Sequence, residues 1–332
     1  MDDFLKLPLP ERRLYFEQAG SVLGHLPTVV EKDFWVCWTL RELFRLRGWG
    51  THLLFKGGTS LSKAWQLIRR FSEDIDIVVD REFLGFPGDH SLGAKQLKKL
   101  RRVCHERVRG ELRDLLEQRI KETLGAGAGE LTGDPATPGE PTLLFAYPSA
   151  FDRSAGYLVP LVKIEFGARS DMWPSSEVTV RTFLAEGLPH VVDQTAIPVR
   201  VLAAERTFFE KAMLLHEERF RPPEKVRKSR MARHYYDLWC MIGAGVGSKA
   251  ASDLSLFESV VSHRKVFFAQ SWVDYDDLKR GTLRLIPRPD QLASWEKDYR
   301  EMEIFFGGEA PPSWTDLIEV VRRFEDEFNG VR

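Results

Sequence analysis

The chain has 332 residues, 43% of them hydrophobic and 29% charged, with a formal net charge of −1. That balance belongs to folded globular proteins and excludes a disordered chain, and no run approaches the ~18 consecutive apolar residues of a membrane-spanning helix. The acidic start "MDDFLKLPLP" lacks the basic and apolar regions of a signal peptide, so a cytoplasmic protein with no membrane partner is expected.

In chain order, residues 9–49 read as helices. "PERRLYFEQAG" has a proline start and a glycine stop, and "TVVEKDFWVCWTLRELFRL" spaces its apolar residues at a helical period. In the second, Val30, Phe34, Cys37 and Trp38 share a face, while Glu31, Lys32 and Asp33 in the first turn are expected on the surface or in a cap. "THLLFKGG" then reads as a short strand ending in a glycine pair, and "TSLSKAWQLIRRF" as a helix capped by Thr59 or Ser60. "SEDIDIVVD" returns as a strand. Residues 91–124 form a long charged helix, and the Gly/Pro-rich stretch 125–142 a mobile loop. Strand signals resume in "TLLFAYP", "GYLVPLVKIEFGAR", "SSEVTVRTFLA" and "AIPVRVL", after which the pattern is helical to the end. The fold class is therefore mixed α/β (α+β), with a core over 1–198 that includes the N-terminal helices and a helical body over 199–332. Cys37, Cys104 and Cys240 are odd in number and lack CxxC spacing, so they read as buried apolar thiols rather than as a disulfide framework or a zinc site.

The carboxylates of "SEDIDIVVD" carry the chemistry. A strand sends alternate side chains to opposite faces, so Ile75 and Ile77 point to the core while Asp74 and Asp76 are neighbours on the other face, about 6–7 Å apart along the backbone. Two carboxylates held that close repel unless a cation sits beside them, and a hard divalent ion resolves the conflict. Glu73 is expected to point with the isoleucines, and Asp80 to end the strand. The preceding "KGGTSLSK" permits close backbone approach and opens a helix whose free N–H groups suit a phosphate; it is not a Walker A loop. In "LVKIEFG", Glu165 lies on the polar face and could complete a metal triad, or instead pair with Lys163 or Arg169.

These residues resemble the nucleotidyltransferase superfamily related to DNA polymerase β. More narrowly they resemble the AbiEii/AbiGii family of type IV toxins, which includes the mycobacterial MenT toxins. "GGTSLSK", the "EDIDI" strand, "VEKDFWV", "AERTFFEKAMLLH" at 204–216 and "RHYYDLW" at 233–239 carry the likeness, which spans roughly residues 28–240. The resemblance implies a polymerase β-like core in which Asp74 and Asp76 bind Mg²⁺ or Mn²⁺, with Glu165 as a looser third ligand. It also implies that the stretch of Lys56, Gly57, Gly58, Thr59, Ser60 and Lys63 holds the phosphates of an NTP. Lys211 and Asp237 would be the later functional lysine and aspartate, with Arg233 assisting. Ser72 occupies the position that an antitoxin phosphorylates in some members.

The expected activity is transfer of NMP from an NTP to RNA, by family analogy the tRNA 3′ end, under the control of a cognate antitoxin. The basic stretches 95–109 and 219–234 are candidates for gripping the RNA backbone. Two alternatives use the same residues differently: a metal-dependent phosphodiesterase or nuclease, and a non-catalytic binding module on a degenerate transferase fold. Read from spacing alone, Arg233 and Asp237 could equally be an i,i+4 ion pair on a helix surface.

Overall fold

A computed structural model describes residues 1–70, 72, 74–151, 159–192, 196–302, 306 and 310–331; Glu73 lies outside them. The chain packs into two compact units. Met1–Ala64, Ser72–Gly88 and Ala94–Val201 form the first; Trp65–Phe71, Asp89–Gly93 and Leu202–Arg332 form the second. No helix among the described residues is long and apolar enough to cross a membrane.

The first unit begins with helices α1 (Asp2–Leu5), α2 (Leu9–Leu23) and α3 (Pro27–Arg45). Strand β1 (Leu53–Lys56), the short α4 (Gly57–Lys63) and β2 (Ile75–Val79) follow. The long charged helix appears as α5 (Ala94–Arg107) and α6 (Arg113–Leu124), joined through a π-helical turn at Val108–Leu112. Strands β3 (Glu130–Gly133), β4 (Thr142–Ala146), β5 (Leu161–Gly167) and β6 (Ser175–Val180), helix α7 (Phe183–Gly187) and strand β7 (Ile197–Leu202) complete it. The seven strands lie in the order β3-β4-β5-β2-β1-β7-β6. β2 runs antiparallel to β1 and parallel to β5, and β1 runs parallel to β7, so the sheet is mixed as expected.

Four local expectations are corrected. The first helix does not stop at Gly20 but runs to Leu23 and ends at Gly24 in the left-handed region. Gly20 is needed for another reason, since a Cβ there would sit 2.7 Å from the His25 carbonyl oxygen. The second helical stretch after the glycine pair starts at Gly57 without a side-chain cap and stops at Lys63. Beyond it, the Trp65 indole donates to the Leu202 carbonyl and Gln66 takes a positive φ of 53°, neither compatible with a continuing helix. The Gly/Pro-rich stretch is not all loop, because β3 forms within it as an edge strand holding only Leu131 in the core. Finally, Cys37 and Cys104 are buried but Cys240 is only partly so. Burial pushes the Cys104 thiol up to about 12 and Cys240 to about 11, which makes both poor nucleophiles.

The largest correction concerns Glu31, Lys32 and Asp33. α3 is buried on every side from Val30 to Leu43, with Trp35 stacked on Tyr147 at 5.2 Å and packed edge-on against Phe145. All three charged residues are buried with it, and each has a partner of its own. Glu31 accepts from the Ser149 hydroxyl and the Ala150 N–H, both at 2.6 Å. Lys32 donates to the Val159 and Leu161 carbonyls. Asp33 accepts from the Phe183 N–H at 2.6 Å and pairs with Lys63 at 2.7 Å. A helix read as amphipathic is therefore a fully enclosed one whose polar atoms are satisfied from other elements.

The second unit is helical: α8 (Ala204–Arg219), α9 (Arg233–Gly243), α10 (Val246–Ala251), α11 (Leu254–Phe267), α12 (Leu292–Arg300) and α13 (Trp314–Asn329). The last of these buries Leu317, Ile318, Val321, Phe324 and Phe328, with Phe324 edge-on to Phe208 of α8 at 4.8 Å. The C-terminal helix thus closes this unit's core.

The Lys63–Asp33 pair yields a stability prediction. Burial would lower the Lys63 ammonium, but Asp33, with Cys37 and Glu186 adding to it, raises the value above the ordinary 10.5. The stabilisation is therefore full below pH 10.5 and is lost as pH rises through the higher folded value. Lys63→Met, which leaves Asp33 buried without its cation, is expected to cost about 3–5 kcal/mol in urea unfolding at pH 7. The difference from the parent should shrink only in strongly alkaline buffer.

Candidate functional site

The pairing of three strands builds one polar rung across the first unit's sheet. Lys56 of β1 lies opposite Asp76 of β2, and Asp76 lies opposite Glu165 of β5. Opposed residues share a face, so the three side chains stand in a row, one basic and two acidic. Ile75 and Ile77 on the other face are buried, as expected. The acidic face is not polar along its whole length, however. Val78, on the same face as Asp76, is buried together with its rung partner Leu54, so the apolar core covers both faces beyond the rung.

Gly57 fixes how the backbone crosses this row. Its φ is +80°, and a Cβ there would meet the Asp76 Oδ2 at 1.9 Å. Both facts demand glycine at this position, whereas Gly58 enters α4 without a positive φ. Inside α4, the buried Thr59 donates to the Asp74 carbonyl at 2.5 Å and lies 2.9 Å from the Ser72 hydroxyl, which ties the start of the acidic strand to the helix. Ser60 turns back to donate to the Gly57 carbonyl at 2.9 Å. The Lys56 ammonium donates to the Ser170 hydroxyl at 2.8 Å.

Two expected site residues are placed differently from the rest of this row. Glu165 has the right register, but its carboxylate pairs with Lys163 on the same strand. Burial would lower the Lys163 ammonium, yet Glu165, with Asp74 adding to it, raises it above the ordinary lysine value. Among the described residues no cluster of three metal-ligating side chains forms. Lys63 points into the core, where Asp33 and the face of Phe183, 3.9 Å away, take up its charge.

Lys211, Asp237 and Arg233 belong to the second unit. Asp237 is fully buried and accepts from Arg70 through two parallel bonds of 2.7 and 2.9 Å and from Lys211 at 2.8 Å. Lys211, expected at a polar edge of its helix, is buried as well, and Arg233 is exposed. Arg233 makes no ion pair with Asp237, so the surface i,i+4 pair is replaced by an internal network. Burial would raise the Asp237 carboxyl, but Arg70 and Lys211 prevail and hold it well below the usual carboxylate range. Burial lowers the Lys211 ammonium, and Arg70 adds to this against the pull of Asp237. Arg70 was not among the residues singled out from the sequence. Its only signal was a second arginine, beside Arg69, in a stretch otherwise read as a helix.

With this geometry in place, comparison with known proteins is informative. The sequence model of the family described as nucleotidyl transferase AbiEii toxin, type IV toxin–antitoxin system, matches residues 38–326. The chain belongs to that family. Among solved structures it is similar to MenT4, nucleotidyltransferase toxin Rv2826c from Mycobacterium tuberculosis H37Rv, at 19% identity and a TM-score of 0.42, covering 96% of this chain and 98% of that one. No curated protein matches.

Two outcomes are expected here. Gly57→Ala has to accommodate a left-handed backbone and displace the Asp76 carboxylate, so it should lose at least about 1–2 kcal/mol in thermal or denaturant unfolding. A melting temperature equal to the parent's would contradict the close approach. Asp237→Asn leaves two buried cations underpaired and should cost about 3–5 kcal/mol. Because the folded carboxyl is depressed, the stabilisation is full above the ordinary value of 3.8 and is lost as pH falls below it. Urea titrations from pH 7 to 3 should therefore show a constant gap between parent and variant down to about pH 4, narrowing only in more acid buffer.

Proposed function

We propose that this AbiEii-family chain transfers a nucleoside monophosphate from an NTP to the 3′ hydroxyl of an RNA acceptor, tRNA in the first instance. The acceptor oxygen forms a bond to the α-phosphorus and loses its proton. The bond from that phosphorus to the bridging oxygen breaks, and pyrophosphate leaves with the electron pair. The observation that best supports this is Gly57 lying against the Asp76 carboxylate at the end of β1, because it leaves a carboxylate, a lysine and uncluttered backbone at one spot.

Asp74 and Asp76 are the residues that would hold Mg²⁺ or Mn²⁺. Hard carboxylate oxygens, one in β2 and one just before it, suit an ion that binds through one or two carboxylates and completes its shell with water and substrate phosphates, and the Cβ-free backbone of Gly57 packs directly against the Asp76 carboxylate and sets its position. When bound, such an ion supplies charge neutralisation on the phosphates and a lower pKa for the acceptor hydroxyl. Glu165 stands in the same rung and would join only by releasing Lys163.

The chain's own groups do the rest. Lys56 sets a positive charge at the end of the row, toward the phosphates. Gly57 and Gly58 keep side chains away from the nucleotide, Thr59 holds Asp74 and Ser72 in place, and Ser60 fastens the first turn of α4. Lys63 contributes by anchoring α4 to Asp33. Within the second unit, Lys211 and Asp237 are buried and hold Arg70, and Arg233 is exposed. A cognate antitoxin would restrain the enzyme in the cytoplasm, and modified tRNA would block translation and growth.

The test is incubation of the purified protein with Mg²⁺, total tRNA and each labelled NTP in turn. Label should enter RNA, and Asp74→Asn or Asp76→Asn should reduce incorporation at least about 100-fold while the melting temperature holds. Shortened RNA without incorporation would identify a phosphodiesterase instead.

A further inference from the structure

Two stretches of the chain carry the same formal charge: residues 95–109 and residues 219–234 each have seven lysines or arginines and one glutamate. The structure separates them. On the helical stretch, Arg101 pairs with Glu140, Arg102 with Glu106 and Arg107 with Glu111, all within 3.0 Å. Those carboxylates cancel nearly half of its charge. In the second stretch Arg221 pairs with Glu218 at 2.5 Å. Among the described residues Lys228 and Arg233 have no carboxylate of this kind.

What holds the second stretch in place is instead aromatic. Lys225 lies 4.2 Å and Arg221 4.9 Å from the centre of the Trp272 ring, and Arg227 lies 3.8 Å from that of Trp295. The Trp272 indole is itself fixed by donating to the Glu217 carbonyl at 2.9 Å. A ring quadrupole orients a cation but carries no net charge, so Lys225 and Arg227 are ordered while their positive charge remains available. The backbone is fixed as well. Asp298 accepts from the Arg230 and Ala232 N–H groups at 2.6 and 2.7 Å, which holds Arg230 at an unfavourable φ of 62°. Between these anchors the loop presents Val226, 90% exposed, flanked by Lys225 and by Arg227 and Lys228.

We infer that residues 219–233, with Lys225, Arg227 and Lys228 at their centre, form the surface that grips the sugar–phosphate backbone of the RNA acceptor, and that the basic helix 95–109 does not. This rests on the RNA acceptor proposed above. Preordered cations lose little side-chain freedom on meeting phosphates, and each contact made releases counterions, so the grip weakens with salt in proportion to the number of contacts.

The experiment uses the full-length protein and fluorescein-labelled total tRNA in anisotropy titrations between 50 and 200 mM KCl. Lys225→Ala with Lys228→Ala, both exposed positions, should raise the Kd about tenfold and flatten the plot of log Kd against log salt by about 1.4–1.8, the loss of two phosphate contacts. Lys95→Ala with Lys98→Ala, also exposed, should change neither, and melting temperatures should match the parent's throughout. The inference is overturned if the parent binds and labels tRNA but the loop variant binds as the parent does, or if the helix variant is the one that weakens. A parent that neither binds nor labels tRNA defeats the RNA reading itself, and this surface with it. Polyglutamate binding as tightly as tRNA, and lost in the loop variant, would assign the surface to an acidic protein instead.

Discussion

Gly57 and the Asp76 carboxylate lie so close that no Cβ fits between them, and the geometry around the acidic strand follows from that contact. The antiparallel pairing of β1 with β2 sets Lys56 opposite Asp76, so the next residue must pass directly over the carboxylate. Only glycine can do so, and the same residue's positive φ turns the chain out of the strand into α4. α4 then brings Thr59 to the Asp74 carbonyl, which fixes the backbone of the second aspartate. One missing methyl group thus links strand register, helix start and the placement of both carboxylates.

Buried charge organises both units in a similar way. In the first, Glu31, Lys32 and Asp33 tie α3 to the segments around 149, 160 and 183 and, through Lys63, to α4. In the second, Asp237 gathers Arg70 and Lys211 from distant parts of the sequence. Such networks add little net stability over an apolar substitute of the same shape, because desolvation offsets most of the attraction, but losing one member strands the others. They therefore specify which elements meet more than they strengthen the meeting. Lys63 and Asp237, whose positions in the motifs suggested direct contact with a nucleotide, serve this organising role.

What could be read from sequence was whatever depends on local period. The alternation of Ile75 and Ile77 with Asp74 and Asp76, and of Val162, Ile164 and Phe166 with Lys163 and Glu165, reports strand faces directly, and the structure keeps both. The glycine pair before a helix was visible too. What could not be read depends on partners far away in the chain. Glu31, Lys32 and Asp33 look like a polar first turn until elements more than a hundred residues later supply their hydrogen bonds. α4 has the composition of a longer helix, and it ends early because Trp65 and Arg70 have distant partners at Leu202 and Asp237. Leu131 marks β3 only once β4 is there to pair with it.

The same distinction limits the polar rung to one end of β2. On the Asp76 face, the rung formed by Lys56, Asp76 and Glu165 is followed by one formed by Leu54, Val78 and Gly167, and there the leucine and valine are completely enclosed. A carboxylate two residues further along would be surrounded by apolar groups and would favour its neutral form, useless as a ligand for a hard cation. A carboxylate earlier, at position 74, still falls within reach of Lys163, whose raised ammonium pKa records the negative charge around it. Asp76 stands in β2 before the burial of Val78 begins, and Asp74, just ahead of the strand, has its carbonyl held by Thr59. Neither composition nor the DxD spacing locates that boundary; it is set where the burial of Val78 begins.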